Sequence, residues 1–258
     1  MNRRICLLTG ASGFLGAAFL ARLARQYDIV AVHHRGEVRF ASQDHAFVDP
    51  LDPASASPPN DRAVHTIRTD LTALADPADA EQFVRSAAAR FGGIDLVVHA
   101  AALRPQASVL DGAGVIAAPD VFAVNVLAPL RIAAALGRTV WRLDPLVNAR
   151  AGRNIVHLTS TSGQFVYEDR GEALASSADA ALNQLTYHLA SELWDLGVRV
   201  NALAIEPPLD RAAVERAIDA IVALDDSQDT GRILPVGHPG NAGGDGRSQR
   251  EPGLGVAG

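Results

Sequence analysis

The amino-acid sequence predicts an α/β protein built on one doubly wound parallel sheet of about seven strands. Short apolar, β-branched runs alternate with Ala/Leu-rich helical patterns along most of the chain. Most of these runs are continuously apolar, which is typical of strands covered by helices on both faces. A glycine-rich turn joins the first run to the first helical segment. With 258 residues, 48% of them hydrophobic, the chain can bury one large core.

The elements follow one another in a regular βαβ order, which predicts a single domain. The strand candidates are Arg4–Thr9, Asp28–His33, Ala63–Arg68, Ile94–His99, Asn154–Ser160, Val198–Ile205 and Ile233–Val236. The helix candidates are Phe14–Gln26, Pro77–Phe91, Pro119–Val140, Ser177–Leu196 and Arg211–Leu224. Several prolines between Gly36 and Asp61 predict a long loop or a broken helix there. We expect one domain over residues 1–236 and a flexible Gly-rich tail over residues 237–258.

The turn Thr9–Gly16 has the glycine spacing of a dinucleotide-binding turn in a Rossmann-like fold. Gly10 allows a tight turn, Gly13 lets the backbone approach a pyrophosphate, and Gly16 lets the helix lie close to its strand. The N–H groups at the helix start then face the phosphates. A plain tight turn is the alternative interpretation. The predicted cofactor-binding residues of this turn are Gly10, Ser12, Gly13, Phe14, Leu15 and Gly16.

Composition excludes several classes of protein. The formal net charge is −6, and no basic block is interleaved with aromatic residues, so nucleic acid is not an expected partner. The single cysteine, Cys6, excludes a disulfide framework and a cysteine-based metal site. The first residues do not have the pattern of a signal peptide, and we expect no apolar run to span a bilayer. The expectation is a soluble, cytoplasmic protein without a membrane partner.

Two apolar faces on one helix predict self-association. Between Ser177 and Leu196, one stripe can pack on the sheet, and a second stripe on another face needs a partner. We therefore expect a homodimer or homotetramer through helices 119–140 and 177–196. The first stripe is Leu182, Leu185, Leu189, Leu193 and Leu196, and the second is Tyr187, Ala190 and Trp194.

A set of motifs in the right order and at the right distances resembles the short-chain dehydrogenase/reductase family. The resemblance extends from about Ile5 to Val236 and implies a nicotinamide dinucleotide cofactor and a small-molecule substrate. The motifs are Thr9–Gly16, Asp70-Leu71, Val98–Ala101, Asn125, Ser160 and Val198–Ala204.

The resemblance also assigns the adenine side of the cofactor. Asp70 would contact the adenine ring, Leu71 would pack beside it, and the stretch from His99 through Ala100 to Ala101 would line the adenine-ribose side. The alternative for Asp70 is a cap at the end of a strand.

The end of the second strand favours NADP over NAD. NAD-preferring members of the family usually carry an acidic residue there, but this chain reads His33-His34-Arg35. Arg35 can pair with a 2′-phosphate. The alternative is that these are solvated loop residues. Two adjacent histidines without further nearby ligands do not predict a metal site.

Asn125 lies at a predicted irregularity in its helix. Pro129 has no N–H for the carbonyl of Asn125, so the helix should kink and leave that carbonyl free. In the family, this position holds a water molecule of a proton relay.

The resemblance fails at the usual acid–base residues. Ser160 matches the catalytic serine of the family, but the tyrosine position is Ala175 and the lysine position is Asp179. The chain contains no lysine that could substitute. Asp179 can accept hydrogen bonds from ribose hydroxyls, but its negative charge would raise the pKa of a nearby phenol. The family's usual mechanism is therefore not available.

Tyr167, in the loop after the strand that carries Ser160, is a candidate replacement acid, followed by Glu168 and Asp169. The alternatives are a surface tyrosine and a serine that has lost its catalytic role. After Glu206 only one helix precedes Thr230, which predicts a shortened substrate lid.

Two functions remain open. The first is an NADP(H)-binding, non-standard oxidoreductase or tailoring enzyme, which reduces, epimerises or eliminates on a small carbonyl or alcohol. The second is a catalytically inactive binding or partner subunit with the same fold.

Overall fold

The computed structural model describes residues 3–38, 64–106, 110, 112–142, 144–167 and 171–237. One seven-stranded, all-parallel sheet organises these residues in the order β3-β2-β1-β4-β5-β6-β7, which confirms the predicted fold class. The strands are β1 (Arg4–Thr9), β2 (Tyr27–His33), β3 (Val64–Arg68), β4 (Leu96–His99), β5 (Asn154–Ser160), β6 (Arg199–Ile205) and β7 (Ile233–Val236).

Helices cover both faces of this sheet. They are α1 (Phe14–Leu23), α2 (Pro77–Phe91), α3 (Ala113–Phe122), α4 (Ala128–Thr139), α5 (Pro145–Arg150), α6 (Ala173–Glu192) and α7 (Arg211–Asp226). One core packs Leu7, Val97 and Ile155 against residues of α2, α4 and α6. The other packs Leu8, Val98 and Val156 against residues of α1 and α7. Because both faces are buried, the strands have continuous apolar sequences rather than alternating ones.

The strand order reverses between β1 and β4, which lie side by side. In a doubly wound sheet, ligands bind outside the carboxyl ends of the strands at such a switch point. The glycine turn after β1 and the residues after β4, β5 and β6 therefore meet at one edge of the sheet.

The starts of two helices differ most from the prediction. α3 begins at Ala113 rather than Pro119, and Pro119 lies inside it. α6 begins at Ala173 rather than Ser177 and ends at Glu192, with a 3₁₀ turn over Trp194–Leu196. Pro119 and Ser177 are residue types that often begin a helix, so the sequence predicted helix starts there. In the structure both helices begin further toward the N-terminus, because tertiary context can override local preference.

The short helix α5 was not predicted, although its sequence carries a start signal. The Asp144 carboxylate accepts a hydrogen bond from the Leu146 N–H at 2.9 Å, and Pro145 occupies the first helical position. An aspartate before a proline is a common helix start.

The expectation that no run is apolar enough for a membrane was wrong. The continuous helical segment Gly114–Thr139 is long and apolar enough by length and composition, with a mean hydropathy of 1.6. Val124, Ile132 and Leu136 of this segment are buried in the core on the sheet. The core helix of a doubly wound fold can meet the same criteria, and 28% of this apolar window is buried.

The two stripes on α6 are largely as predicted. Leu182, Leu189 and Leu193 are buried, whereas Tyr187 and Trp194 are exposed. Ala190 is buried, so it belongs to the core and not to the exposed stripe.

Two predicted segments fall outside the described residues. They are the loop between Gly36 and Asp61, of which only residues 36–38 are described, and the tail, of which only Gly237 is described.

Candidate functional site

The glycine turn after β1 holds a backbone conformation that requires glycine at Gly10. Its φ is +70°, and an added Cβ would lie 2.6 Å from the Ala101 nitrogen. A Cβ on Gly16 would lie 2.3 Å from the Gly10 carbonyl oxygen. Gly16 therefore allows α1 to approach the turn itself, not the strand as the sequence suggested. Gly13 is the N-cap of α1, and no side chain of a described residue caps that helix end.

A first cavity of about 320 Å³ lies on one side of this turn. It contains most of the residues predicted for the adenosine half of a dinucleotide. These lining residues are Gly10, Ser12, Gly13, Arg35, Asp70, Leu71, Ala100 and Ala101. The structure therefore brings these residues together around one cavity.

Asp70 both lines the first cavity and caps a short 3₁₀ turn, Leu71–Ala73. Its Oδ1 accepts hydrogen bonds from the Thr72 N–H at 3.0 Å and the Thr72 hydroxyl at 2.8 Å. These hydrogen bonds hold the pKa of the Asp70 carboxyl below its usual value. The capping role that the sequence left open is thus present, and the other oxygen lies 3.6 Å from His34 Nε2.

The segment after β2 brings basic side chains to the rim of the first cavity. His33, His34 and Arg35 all line it, and His33 Nδ1 lies 2.9 Å from the Gly36 carbonyl oxygen. Among the described residues, no group of three or more His, Cys, Asp or Glu side chains could hold a metal ion.

A second cavity of about 410 Å³ lies on the other side of the glycine turn. The turn contributes Gly13, Phe14, Leu15 and Gly16 to its wall. Polar side chains line it beyond the carboxyl ends of β4, β5 and β6: Arg104, Gln106, Thr159, Ser160, Glu172 and Glu206. Because the glycine turn lines both cavities, the two cavities adjoin each other at this edge of the sheet.

Ser160 ends β5 in the wall of the second cavity, as predicted. Its Oγ accepts a hydrogen bond from the Ser162 N–H at 3.1 Å and so caps the turn Thr161–Gly163. This bond uses a lone pair of the oxygen and leaves the hydroxyl hydrogen as a donor.

Ala175 and Asp179 are both buried residues of α6. The Asp179 carboxylate accepts hydrogen bonds from both terminal nitrogens of Arg104, at 2.8 and 2.9 Å. The backbone N–H of Ser160 also acts to lower the pKa of this carboxyl. Burial raises the pKa of Asp179, and the charge of Arg104 opposes that shift. Contact of this carboxylate with a ribose, as predicted, would need Arg104 to move, because Asp179 lines neither cavity.

Asn125 fixes the loop after β4. Its Oδ1 accepts a hydrogen bond from the Leu103 N–H at 2.7 Å, and its Nδ2 donates to the Leu103 carbonyl at 3.0 Å. The predicted helix irregularity is present as a π-helical turn over Ala123–Leu127, with Pro129 in the first turn of α4. The side chain of Asn125 therefore positions the residue next to Arg104.

Tyr167 lies away from the second cavity wall. Its hydroxyl and that of Thr161 are 2.8 Å apart, and Tyr167 is not among the residues that line the second cavity. Glu168 and Asp169, predicted beside it, lie outside the described residues.

The described segment from Glu206 to Gly237 contains one helix, α7, as predicted. Val214, Ile218 and Ile221 of α7 are buried against the sheet, so this helix is part of the core and does not cover the site. The second cavity is bordered here by Pro207, Pro208 and Leu209.

Sequence reasoning missed Arg104. Its partner Asp179 is 75 positions away, so no local pattern reveals the pair. The available signal was indirect: an aspartate within an Ala/Leu-rich helical segment, in a chain without lysine, calls for a compensating arginine.

Comparisons with known proteins identify the family. Residues 36–230, about three quarters of the chain, match the family model described as enoyl-(acyl carrier protein) reductase. An uncharacterized oxidoreductase of Staphylococcus saprophyticus is 26% identical over 212 residues, 81% of each chain. Galactitol 2-dehydrogenase of Agrobacterium fabrum is 27% identical over 207 residues, 79% of this chain and 70% of the relative.

A solved structure agrees with the fold. The short-chain dehydrogenase/reductase family oxidoreductase of Brucella ovis, in complex with a partially ordered NAD, superposes with a TM-score of 0.65. It is 24% identical, and the match covers 91% of this chain and 99% of that one. The chain belongs to the short-chain dehydrogenase/reductase family.

Proposed function

We propose that the protein is an NADP(H)-dependent oxidoreductase of atypical active site that acts on a small carbonyl or alcohol, by reduction, epimerisation or elimination. The observation that carries this proposal is the pair of cavities on the two sides of the glycine turn, the second of which reaches Ser160 and Arg104. When bound, the cofactor supplies or accepts a hydride. The dehydrogenase names of the relatives favour the same class of reaction.

The residues present fit a dinucleotide. The backbone of the glycine turn approaches Ala100 and Ala101 so closely that no side chain fits at Gly10. The N-terminus of α1, with Gly13 as N-cap, offers backbone N–H groups and the positive end of the helix dipole to a pyrophosphate. Asp70 and Leu71 would hold the adenine, and Arg104 and Ser160 would face the reacting end.

The preference for NADP is supported by the rim of the first cavity. Arg35 and His34 line it, and a guanidinium is the side chain best suited to a phosphate. The wild-type protein is expected to bind NADPH at least tenfold more tightly than NADH. Arg35→Ala should weaken NADPH binding about tenfold or more and leave NADH binding within about twofold, because only NADPH carries the 2′-phosphate.

Fluorescence titration with both cofactors measures these dissociation constants. Arg85→Ala on α2 is the matched control, since Arg85 is exposed and lines neither cavity. Equal affinities for the two cofactors would reject the NADP preference. Failure of both to bind at millimolar concentration would reject the oxidoreductase proposal.

The active site is proposed to be atypical because Ala175 and Asp179 occupy the family's tyrosine and lysine positions. Neither can act as the usual phenol and ammonium pair. Asp179 instead forms an ion pair with Arg104, so the cation next to Ser160 comes from the loop after β4. The second candidate function, a catalytically inactive partner subunit, is favoured by the same loss.

Turnover of a panel of small ketones, aldehydes and alcohols with NADPH or NADP separates the two functions. Loss of at least 90% of an observed activity in Ser160→Ala would support the enzyme. Tyr167→Phe tests the proposed acid, and we expect an effect below threefold because Tyr167 does not line the second cavity. No turnover by cofactor-bound protein, together with co-purification of a relative that retains Tyr and Lys, would favour the partner subunit.

We also propose that the protein forms a homodimer or homotetramer through helices 119–140 and 177–196. Leu127, Tyr187 and Trp194 expose apolar surface on these segments. Analytical ultracentrifugation of the wild type and of Tyr187→Ser/Trp194→Ser tests this association; a monomeric wild type would reject it.

A further inference from the structure

The polar end of the second cavity contains a cation that is held without a lysine. Arg104 reaches the cavity wall from the loop after β4, and about 39% of its side chain is exposed. Asp179, whose side chain is 3% exposed, holds the guanidinium through two short hydrogen bonds. Such a two-point contact fixes both the position and the plane of the guanidinium.

The same carboxylate lies beside the end of β5. The Arg104 guanidinium and the backbone N–H of Ser160 both act to lower the pKa of Asp179. Arg104 and Ser160 therefore lie on two sides of one buried carboxylate, and both line the second cavity. A buried group that supports two residues of one cavity wall is suited to keeping them aligned.

Both side chains keep hydrogen-bond donors for a ligand. A guanidinium carries five N–H groups, and two of those of Arg104 are directed to Asp179. The Ser160 Oγ accepts from Ser162, so its hydroxyl hydrogen is available to donate. An oxygen atom in this end of the cavity can therefore receive one N–H and one O–H.

We propose that Arg104 and Ser160 form an oxygen-binding site that holds the carbonyl or alkoxide oxygen of the substrate, with Asp179 as a positioning residue. This assignment rests on the proposed function. In reduction, the carbonyl carbon would accept a hydride that a bound nicotinamide cofactor would supply, and the C=O π electron pair would move to the oxygen. Arg104 and Ser160 would stabilise the resulting alkoxide, which would take a proton from a solvent water molecule and leave hydroxide to the buffer.

Asp179 also tunes the strength of this site. Its negative charge compensates that of Arg104, so the pair favours a neutral carbonyl oxygen over a full anion in the ground state. Negative charge that develops on the oxygen during the reaction is then stabilised by the N–H of Arg104 and the O–H of Ser160, which are already in place. Donors that stabilise the transition state more than the ground state are what raise the rate. Removal of the Asp179 charge should therefore increase the affinity of the site for a small anion.

Binding of acetate tests this inference, because its carboxylate mimics the charged oxygen. Saturation-transfer NMR titrations would be run on the protein alone and on the protein saturated with NADP. Arg104→Gln is expected to weaken acetate binding at least tenfold, whereas Asp179→Asn should strengthen it at least threefold. A merely structural role of Asp179 predicts the opposite sign for the second variant.

Controls keep the result independent of folding and of the proposed function. Arg104→Gln/Asp179→Asn leaves no buried unpaired charge, and it should fold and bind acetate no better than Arg104→Gln. Arg85→Gln should stay within twofold of the wild type. Three results would contradict the proposed site. Arg104→Gln could bind acetate within twofold of the wild type, or Asp179→Asn could bind it more weakly than the wild type. The third result is that neither the wild type nor Asp179→Asn binds acetate. Failure of NADP to bind would reject the proposed function instead. The role of Arg104 would still be tested, because acetate binding is also measured on the protein without cofactor.

Discussion

Gly10→Ala is expected to lower the free energy of unfolding by about 2–5 kcal/mol and to abolish dinucleotide binding. The left-handed backbone at Gly10, with φ +70°, costs a side chain roughly 1–2 kcal/mol. The added Cβ would also lie 2.6–2.7 Å from backbone atoms of Ala100 and Ala101. Overpacking of this kind costs typically about 1–3 kcal/mol, and more where only backbone can move. Urea unfolding followed by circular dichroism measures the change.

Gly92→Ala separates the two contributions. Gly92 has φ +87°, but an added Cβ there meets no atom within 4 Å. This variant should therefore lose only the conformational part, roughly 1–2 kcal/mol, and should keep its affinity for NADPH. Equal destabilisation of the two variants would mean that the turn and the loop after β4 move apart at little cost. In that case the close approach of these backbones does not define the first cavity.

The second large effect is a loss of stability in mild acid. His99 and His157 are buried side by side, with ring centroids 5.3 Å apart. Burial lowers the pKa of His99 to about 3, and burial together with His99 lowers that of His157. His157 Nδ1 lies 2.8 Å from the Thr186 hydroxyl oxygen, whose hydrogen is donated to Leu182. His157 therefore carries a proton on Nδ1, and its lowered pKa keeps the ring neutral near pH 7.

The sign follows from proton linkage. Below pH about 6.5 both histidines are protonated in the unfolded chain but not in the folded protein. The free energy of unfolding therefore falls as the pH decreases toward the pKa values of the folded protein. Between pH 7.5 and 5.5 each histidine should contribute a loss of about 1.4 kcal/mol, because one pKa unit corresponds to that free energy. Both together predict a loss of about 3 kcal/mol in this range.

Chemical unfolding at several pH values measures this dependence. His99→Gln/His157→Gln should flatten the curve between pH 7.5 and 5.5, whatever its effect on stability at neutral pH. His188→Gln is the control, because His188 is exposed on α6 and should leave the slope unchanged. An equal pH dependence of the wild type and the double variant over this range would show that the two imidazoles become protonated in the folded protein.

The fold was predictable because each strand is marked by a pattern within its own short stretch of sequence. Arg4–Thr9, Asn154–Ser160 and Ile233–Val236 were predicted with the observed boundaries, since a continuous apolar run between turn residues has few alternative structures. The start of α6 was not predicted, because Ser177 has the chemistry of a cap but lies one turn inside the helix. Its hydroxyl donates instead to the Ala173 carbonyl at 2.8 Å.

The positions of candidate site residues were predictable where a turn or the end of a strand places them. The glycine turn and Ser160 lie where the sequence indicated, because a strand end and a turn fix them. Arg104 was missed because its position depends on two distant residues, Asp179 on α6 and Asn125 on the π-helical turn. Pairing across 75 positions is a property of the fold and leaves no periodic pattern in the sequence.

The loop after β4 has a thermodynamic consequence, because it belongs to both cavities at once. Ala100 and Ala102 line both, and Arg104, further along the same loop, lines the second. Asn125 holds the loop by two hydrogen bonds to one residue, Leu103. A nucleotide fragment that shifts this loop from the first cavity would therefore also shift the wall of the second. Any coupling of the two binding equilibria has to be reciprocal: if adenosine tightens the binding of a ligand at Arg104, that ligand tightens the binding of adenosine by the same factor.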